Sequence, residues 1–338
     1  MVRRAGLVVG IVLVGAVLGG CSVSPGVAST NGTPRSPSVE AYVAPDDGAA
    51  ARVSDAAPRA ATIGIDGVTV TDDGAGLNAL PDGVGTLART ASKRGAVPEL
   101  LVSNYSESIG DFSPEVGTAL LSDAGNRERV ADQLATLAAQ QHMRGVQIDL
   151  ESLRSQDRAG LVAFAAALRS AVHDRLGKRA RVSMAAMAST DAAGFRDTGY
   201  DLRALAGNVD RFVLMTYDQH GPWSGPGAIG ALPWAKRVVA AAEHEGLRAD
   251  RIDLGIAGYG YVWGGTGDPQ VAPAAASRLA GRAARWSERD GEWSAKLRDG
   301  RELHWSDARS YRTRVVLARQ LGLHGVALWS LNTLALPR

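Results

Sequence analysis

Cysteine is almost missing: Cys21 is the only one in 338 residues. No disulfide can form within the chain, so stability has to come from a buried core, for which a hydrophobic content of 45% is ample. An excess of one charge is missing too. The formal net charge is +2 and no long basic run appears, which gives no footing for a nucleic-acid partner. Aromatic residues make up only 5% of the chain, yet all seven tryptophans lie between Trp223 and Trp329. That half would supply most aromatic surface for a ligand, with ordinary core packing the plain alternative for each ring. Forty glycines imply many tight turns, but no glycine-rich phosphate loop stands at the spacing dinucleotide binding needs. No cofactor or metal is called for, since His220 has no second ligand at metal spacing and reads as a loop histidine. No heptad or apolar stripe stands out, and a monomer is expected.

The N-terminus carries a different kind of signal. A basic start (MVRR) precedes an apolar run at 5–18, too short for a comfortable membrane span but suited to the core of a signal peptide over 1–20. Residues 18–21 (LGGC) resemble the lipobox of bacterial lipoproteins, which implies lipidation of Cys21 and anchoring to the membrane on its extracytoplasmic face. An ordinary secretory signal cut nearby is the alternative. Residues 21–37 are rich in Ser, Pro, Gly and Thr and read as a flexible tether.

From residue 38 onward, apolar runs alternate with helical patterns. Strands are expected at 39–43, 61–70, 97–104, 145–151, 181–187, 211–218, 252–256 and 325–329. Helices are expected at about 83–94, from Asn126 to 142, from a Ser155 cap to 177, at 234–244 and at 306–321. Eight such alternations predict an α/β fold, a (β/α)8 barrel occupying 38–338, with a doubly wound open sheet as runner-up. Between the last two strands, 264–305 breaks the pattern. The Asp-Gly pairs at 290–291 and 299–300 are hairpin signals, so a small antiparallel insertion is expected there, as a cleft wall or as decoration.

The chemistry centres on residues 145–151 (GVQIDLE). Period-two alternation puts Gln147, Asp149 and Glu151 on one face, with neighbours on that face about 6–7 Å apart. Partly buried carboxylates that close cannot both ionise cheaply, so one is kept protonated, as a general acid requires. Acids that merely cap the next helix would look the same. In a barrel of this type the site collects at the C-terminal strand ends, which here bring Asn104, Asp149, Glu151, Met187, Tyr217, Asp218, Tyr259, Tyr261 and Trp329 to one mouth. Carboxyls for proton transfer and aromatics for stacking suit a sugar.

Together with residues 214–218 (LMTYD), that stretch resembles the family 18 glycoside hydrolases, whose signature is Asp-Gly-x-Asp-x-Asp-x-Glu and then Met-x-Tyr-Asp. Segments such as LGIAGYGYVW, WSDARS and GVALWSL extend the likeness to the branch of bacterial cell-wall and spore-cortex N-acetylglucosaminidases. The resemblance implies Glu151 as proton donor, Asp149 as the residue orienting the substrate's 2-acetamido group, and Tyr217 as its hydrogen-bond donor. It implies Trp329 as floor of the cleaved sugar's subsite and Asp218 as a hydroxyl or network partner. Asn104, Gln147, Tyr259 and Tyr261 are further candidate sugar contacts. The implied reaction is substrate-assisted retaining hydrolysis of polysaccharide containing N-acetylglucosamine, peptidoglycan favoured and chitin-like substrates possible. A weak or inactive sugar-binding lipoprotein on the same fold, or a purely structural lipoprotein, are the competing readings. Two positions depart from the signature: Arg144 and Gln147 stand where it has its first and second Asp. Gln147 is expected to hydrogen-bond Asp149 without adding charge, leaving Asp149 easier to ionise and the pH optimum changed. Asp66, before Gly67, reads as a turn acid.

Overall fold

The structure, a computed structural model, describes residues 36–338. Cys21, the signal peptide and most of the expected tether lie outside the described residues.

In chain order the elements are β1 (Ser38–Val43), α1 (Ala49–Ala56), β2 (Thr62–Thr69), α2 (Val84–Lys93) and β3 (Val97–Ser103). A short hairpin, β4 (Tyr105–Ser106) with β5 (Asp111–Phe112), and two helices, α3 (Pro114–Ser122) and α4 (Ala124–Gln140), lead to β6 (Gly145–Asp149). Then come α5 (Arg158–Leu176), β7 (Arg181–Met187), α6 (Ala192–Asp197), α7 (Leu202–Leu205), β8 (Arg211–Met215), α8 (Leu232–His244) and β9 (Ile252–Ala257). The insertion comprises β10 (Gly260–Trp263), β11 (Gln270–Val271), α9 (Pro273–Ala280), β12 (Arg285–Ser287), β13 (Glu292–Lys296) and β14 (Glu302–Trp305). The chain closes with α10 (Ala308–Gln320) and β15 (Gly325–Trp329).

Eight strands pair in parallel around a closed barrel in the order β1-β15-β9-β8-β7-β6-β3-β2. All five residues of β6 are buried, the polar Gln147 and Asp149 included, since the strand is covered on both faces. Val146 and Ile148 join Leu134, Phe164 and Leu168 in the apolar cluster outside the barrel, which leaves Gln147 and Asp149 for the interior. The barrel is the expected one; the open sheet is not formed.

Several local expectations need correction. A helix stands before α4: Ser113 caps α3 by accepting from the Val116 N–H, with Pro114 in its first turn. Asp123, not Asn126, caps α4. Ser155 does not cap α5; it opens a turn of 3-10 helix at Ser155–Asp157, and α5 starts at Arg158. Asp66 is no turn acid. It lies inside β2, where the pairing with β3 slips by a residue between Asp66 and Val68, a bulge at Gly67 that imitates a turn in sequence. The insertion begins at Gly260 rather than at 264 and forms a five-stranded antiparallel sheet, β11-β10-β14-β13-β12.

The lower interior of the barrel is ionic rather than apolar. Arg211 on β8 pairs with Glu40 at 2.6 Å, Glu99 at 3.2 Å and Asp253 at 2.8 Å, all four buried. Ser183 donates to Glu99 at 2.6 Å, and His324 lies 2.6 Å from Asp253. Burial is the main influence on Glu40, which is raised to about 8 even with Arg211 pulling it down.

Candidate active site

At the C-terminal end of the barrel lies a cleft of about 410 Å³, lined by Tyr42, Asp149, Glu151, Tyr217, Asp218 and Trp329 among others. Each side chain arrives there by strand geometry. Asp149 ends β6; two residues on, Glu151 sits just past the strand and lines the same cleft. Tyr217 and Asp218 follow β8, and Trp329 ends β15.

The acids perturb one another. Burial holds Asp149 up to about 7, with the charge of Asp66 adding to it. Its Oδ1 is buried and has no hydrogen-bond partner among the described residues. Glu151 is pushed well above the usual carboxylate range, by burial first and then by Asp149, Asp218 and Asp111. Burial also raises Asp218, opposed by the phenols of Tyr259 and Tyr261, which donate to its Oδ1 at 2.7 and 3.1 Å. Asp218 adopts φ +59°, a left-handed conformation that Asp tolerates better than bulkier residues. Tyr217 is kept protonated far above its ordinary pKa by burial and by Asp149. Gly255 makes room for the Tyr217 ring: a Cβ there would stand 2.9 Å from Cε1 and 2.5 Å from Leu214 O. Beneath the cleft, Trp329 meets Tyr42 with centroids 5.2 Å apart, over an inner apolar layer that includes Leu101 and Ala327.

Two expected sugar contacts have other duties. Asn104 is fully buried and does not reach the cleft. Its Oδ1 accepts the Glu151 N–H at 2.9 Å, and its Nδ2 donates to Glu151 O and Ser113 O at 2.8 Å each. Both peptide groups of the acid-bearing residue are thereby clasped by one side chain. Gln147 borders the cleft but does not bond Asp149. Tyr42 OH donates to its Oε1 at 2.7 Å, while its Nε2 donates to Ser183 Oγ at 2.9 Å and Glu40 at 3.2 Å. Its amide therefore faces the ionic layer below, and Asp149 stays hard to ionise through burial and Asp66. Tyr259 and Tyr261 line the cleft as expected, with their hydroxyls engaged on Asp218.

Other contributors were not singled out from the sequence. Tyr200 donates to Leu150 O at 2.7 Å, pinning the residue between the two acids. Nothing in its local sequence marks it, because α5, β7 and α6 all lie between the two partners. Trp223, Trp234, Asp111 and Phe112 also line the cleft. Trp223 is two-thirds exposed and meets Tyr261 edge-on at 6.0 Å, while Trp263 Nε1 donates to Gly221 O and Ser224 O and holds that loop.

The profile of the glycosyl hydrolases family 18 matches residues 107–333. The chain is 30% identical over 163 residues to the uncharacterized glycosylase YvbX of Bacillus subtilis, covering 48% of this chain and 47% of that protein. It is 29% identical over 234 residues to the cortical fragment-lytic enzyme of Bacillus subtilis, covering 65% and 54%. It thus spans about half the length of these curated relatives. In fold it resembles the spore cortex-lytic enzyme SleL of Bacillus cereus, with TM-score 0.77, 22% identity and coverage of 89% and 72%. A class V chitinase of Pseudomonas fluorescens Pf-5 gives TM-score 0.78, 23% identity and coverage of 88% and 96%.

Proposed function

Because this chain belongs to glycosyl hydrolases family 18, we propose that it cleaves N-acetylglucosamine linkages, in peptidoglycan first and in chitin-like polymers second, with retention of configuration. Glu151 gives its proton to the glycosidic oxygen. The substrate's acetamido oxygen attacks the anomeric carbon, and the resulting cyclic intermediate is opened by a water that Glu151 deprotonates. Asp149 Oδ1, buried and unpartnered among the described residues, accepts the acetamido N–H. The Tyr217 hydroxyl, kept protonated, donates to the acetamido oxygen, and Trp329 lies under the ring.

The observation that carries this reading is the convergence of Glu151, Asp149 and Tyr217 in one cleft, with a raised pKa at each. The experiment is turnover of a chromogenic N-acetylglucosaminide and of purified peptidoglycan by the parent and by Glu151→Gln. The variant is expected to lose about 10²–10⁴-fold. Equal activity in both would exclude Glu151 as the acid, and binding without turnover by the parent would favour the sugar-binding reading.

We further propose export and anchoring through Cys21. After a high-salt wash, which strips protein held by charge alone, Cys21→Ala should be gone from the membrane fraction; retention through that wash would overturn the anchor.

A further inference from the structure

The departure at Arg144 leads away from the cleft. Arg144 precedes β6 at the opposite, N-terminal end of the barrel, where it is exposed. There it lines a shallow groove with Arg89, Lys93, His142 and Arg175. Next to it, the Arg181 N–H donates to Arg144 O at 3.3 Å, and Lys178 and Arg179 stand exposed in the turn before β7. Arg175 pairs with Asp132 and Lys178 with Asp174. Lys93, Arg144, Arg179 and Arg181 have no acidic partner among the described residues. At the other end of the barrel the loops after β1, β2 and β3 carry exposed Asp46, Asp47, Asp72, Asp73, Glu107 and Asp111, whereas at the basic end Glu245 and Asp250, before β9, are paired with Arg196 and Arg248. A net charge of +2 hides this polarity.

We infer that the basic base of the barrel is a docking surface for an anionic lipid bilayer. The chain itself selects that partner. β1 begins on this face, where the Ser38 N–H donates to His324 O at 2.9 Å, so the described chain enters the barrel at its basic end. The sixteen residues 22–37 reach at most about 55 Å even fully extended, so an anchored Cys21 ties the domain to the bilayer by its basic end. Juxtamembrane Lys and Arg are drawn to anionic headgroups within a Debye length. Docking there holds the domain upright and turns the acidic cleft toward the wall. The choice of a bilayer rests on the anchoring reading; the charge polarity stands by itself.

The test uses the full chain carrying Cys21→Ala, so that no acyl chain contributes. It is sedimented with phosphatidylcholine vesicles, with vesicles of phosphatidylcholine and phosphatidylglycerol in a two-to-one ratio, and with wall sacculi bearing their anionic polymers. Binding to the anionic vesicles alone, weakened by salt, is expected. Adding Lys93→Glu, Arg144→Glu and Arg181→Glu should lower it at least about tenfold, with turnover of a soluble N-acetylglucosaminide unchanged. Equal vesicle binding by the charge-reversed chain, or binding to sacculi but not to vesicles, would overturn the proposal. A failure of the hydrolytic reading would appear separately, as absent turnover in both chains with vesicle binding intact.

Discussion

Glu151 keeps its proton because water is largely excluded around it and three other carboxylates, those of Asp149, Asp218 and Asp111, add to the cost of losing it. Asp149 experiences the same environment, with a measurable effect on folding. An unfolded chain releases this proton near its ordinary value of 3.8, whereas the folded chain holds it to about 7. Folding therefore loses stability as pH rises across that window and loses nothing further above it. In Asp149→Asn the decline of the thermal midpoint over that range should be shallower than in the parent; matching slopes would refute the assignment. Asn104 gives a second prediction. Asn104→Ala leaves the Glu151 peptide groups unpaired, costs about 1–3 kcal/mol and lets the acid drift, lowering kcat by about 10²-fold with much less change in KM. An unchanged kcat would reduce Asn104 to packing. Asp149 and Glu151 were legible in sequence because period-two alternation alone places them. Asn104 was visible as a residue but not as a clasp, since its partner lies 47 positions on and is a backbone group. Gln147 was misread for a related reason: Tyr42, Glu40 and Ser183 take its amide, and all three come from other strands.

At the level of elements, the insertion is tied into the cleft by one buried ion pair. Glu292 on β13 accepts the Ile229 and Gly230 N–H groups at 2.7 and 2.9 Å and the Ser306 hydroxyl at 3.1 Å. It also pairs with Arg314 on α10 at 2.5 Å. These contacts fix the far end of the loop that carries Trp223. Arg314→Ala strands a buried carboxylate and should cost about 3–5 kcal/mol, read from denaturant midpoints; a loss below about 1 kcal/mol would show that the pair behaves like a surface bridge. At the strand ends, Gly255→Ala should push the Tyr217 ring aside and also strain β8 at Leu214 O, lowering both turnover and the thermal midpoint, with Tyr217→Phe as the comparison that loses the hydroxyl alone. The hairpins of the insertion were legible because Gly291 and Gly300 take positive φ, as Asp-Gly turns require. β10 was not, because the run from 252 to 263 reads as one strand with an aromatic tail. The turn at Gly258 and Tyr259, which redirects it, is held from afar, by the Gly258 N–H donating to Trp329 O at 2.6 Å and the Ser306 N–H donating to Tyr259 O at 3.0 Å. α3 went unseen although Ser113 and Pro114 formed a proper start, because it is short and α4 follows immediately.

Across the whole molecule, closure of the barrel gathers the site. β6, β8, β9 and β15 are distant in sequence, and their parallel register delivers Asp149, Tyr217 and Trp329 to the same rim. Eight periodic runs were enough to predict that architecture, since parallel strands buried on both faces can hardly be written any other way. The ionic layer around Arg211 escaped notice because its acids come singly from β1, β3 and β9. Its presence accounts for a glutamine at 147: an aspartate there would set another carboxylate beside Glu40. Gln147→Asp is therefore expected to lower stability and shift the pH–rate profile, and a profile identical to the parent's would count against that reason. The central claim is that one cleft holds the acid while the substrate brings its own nucleophile. Its most direct test is proton NMR of the first product from a β-linked N-acetylglucosamine oligomer, run beside the same oligomer with hydroxyl in place of acetamido. The β anomer appearing first, with the hydroxyl analogue left intact, is the predicted result; an α anomer first, or equal turnover of both oligomers, would contradict it.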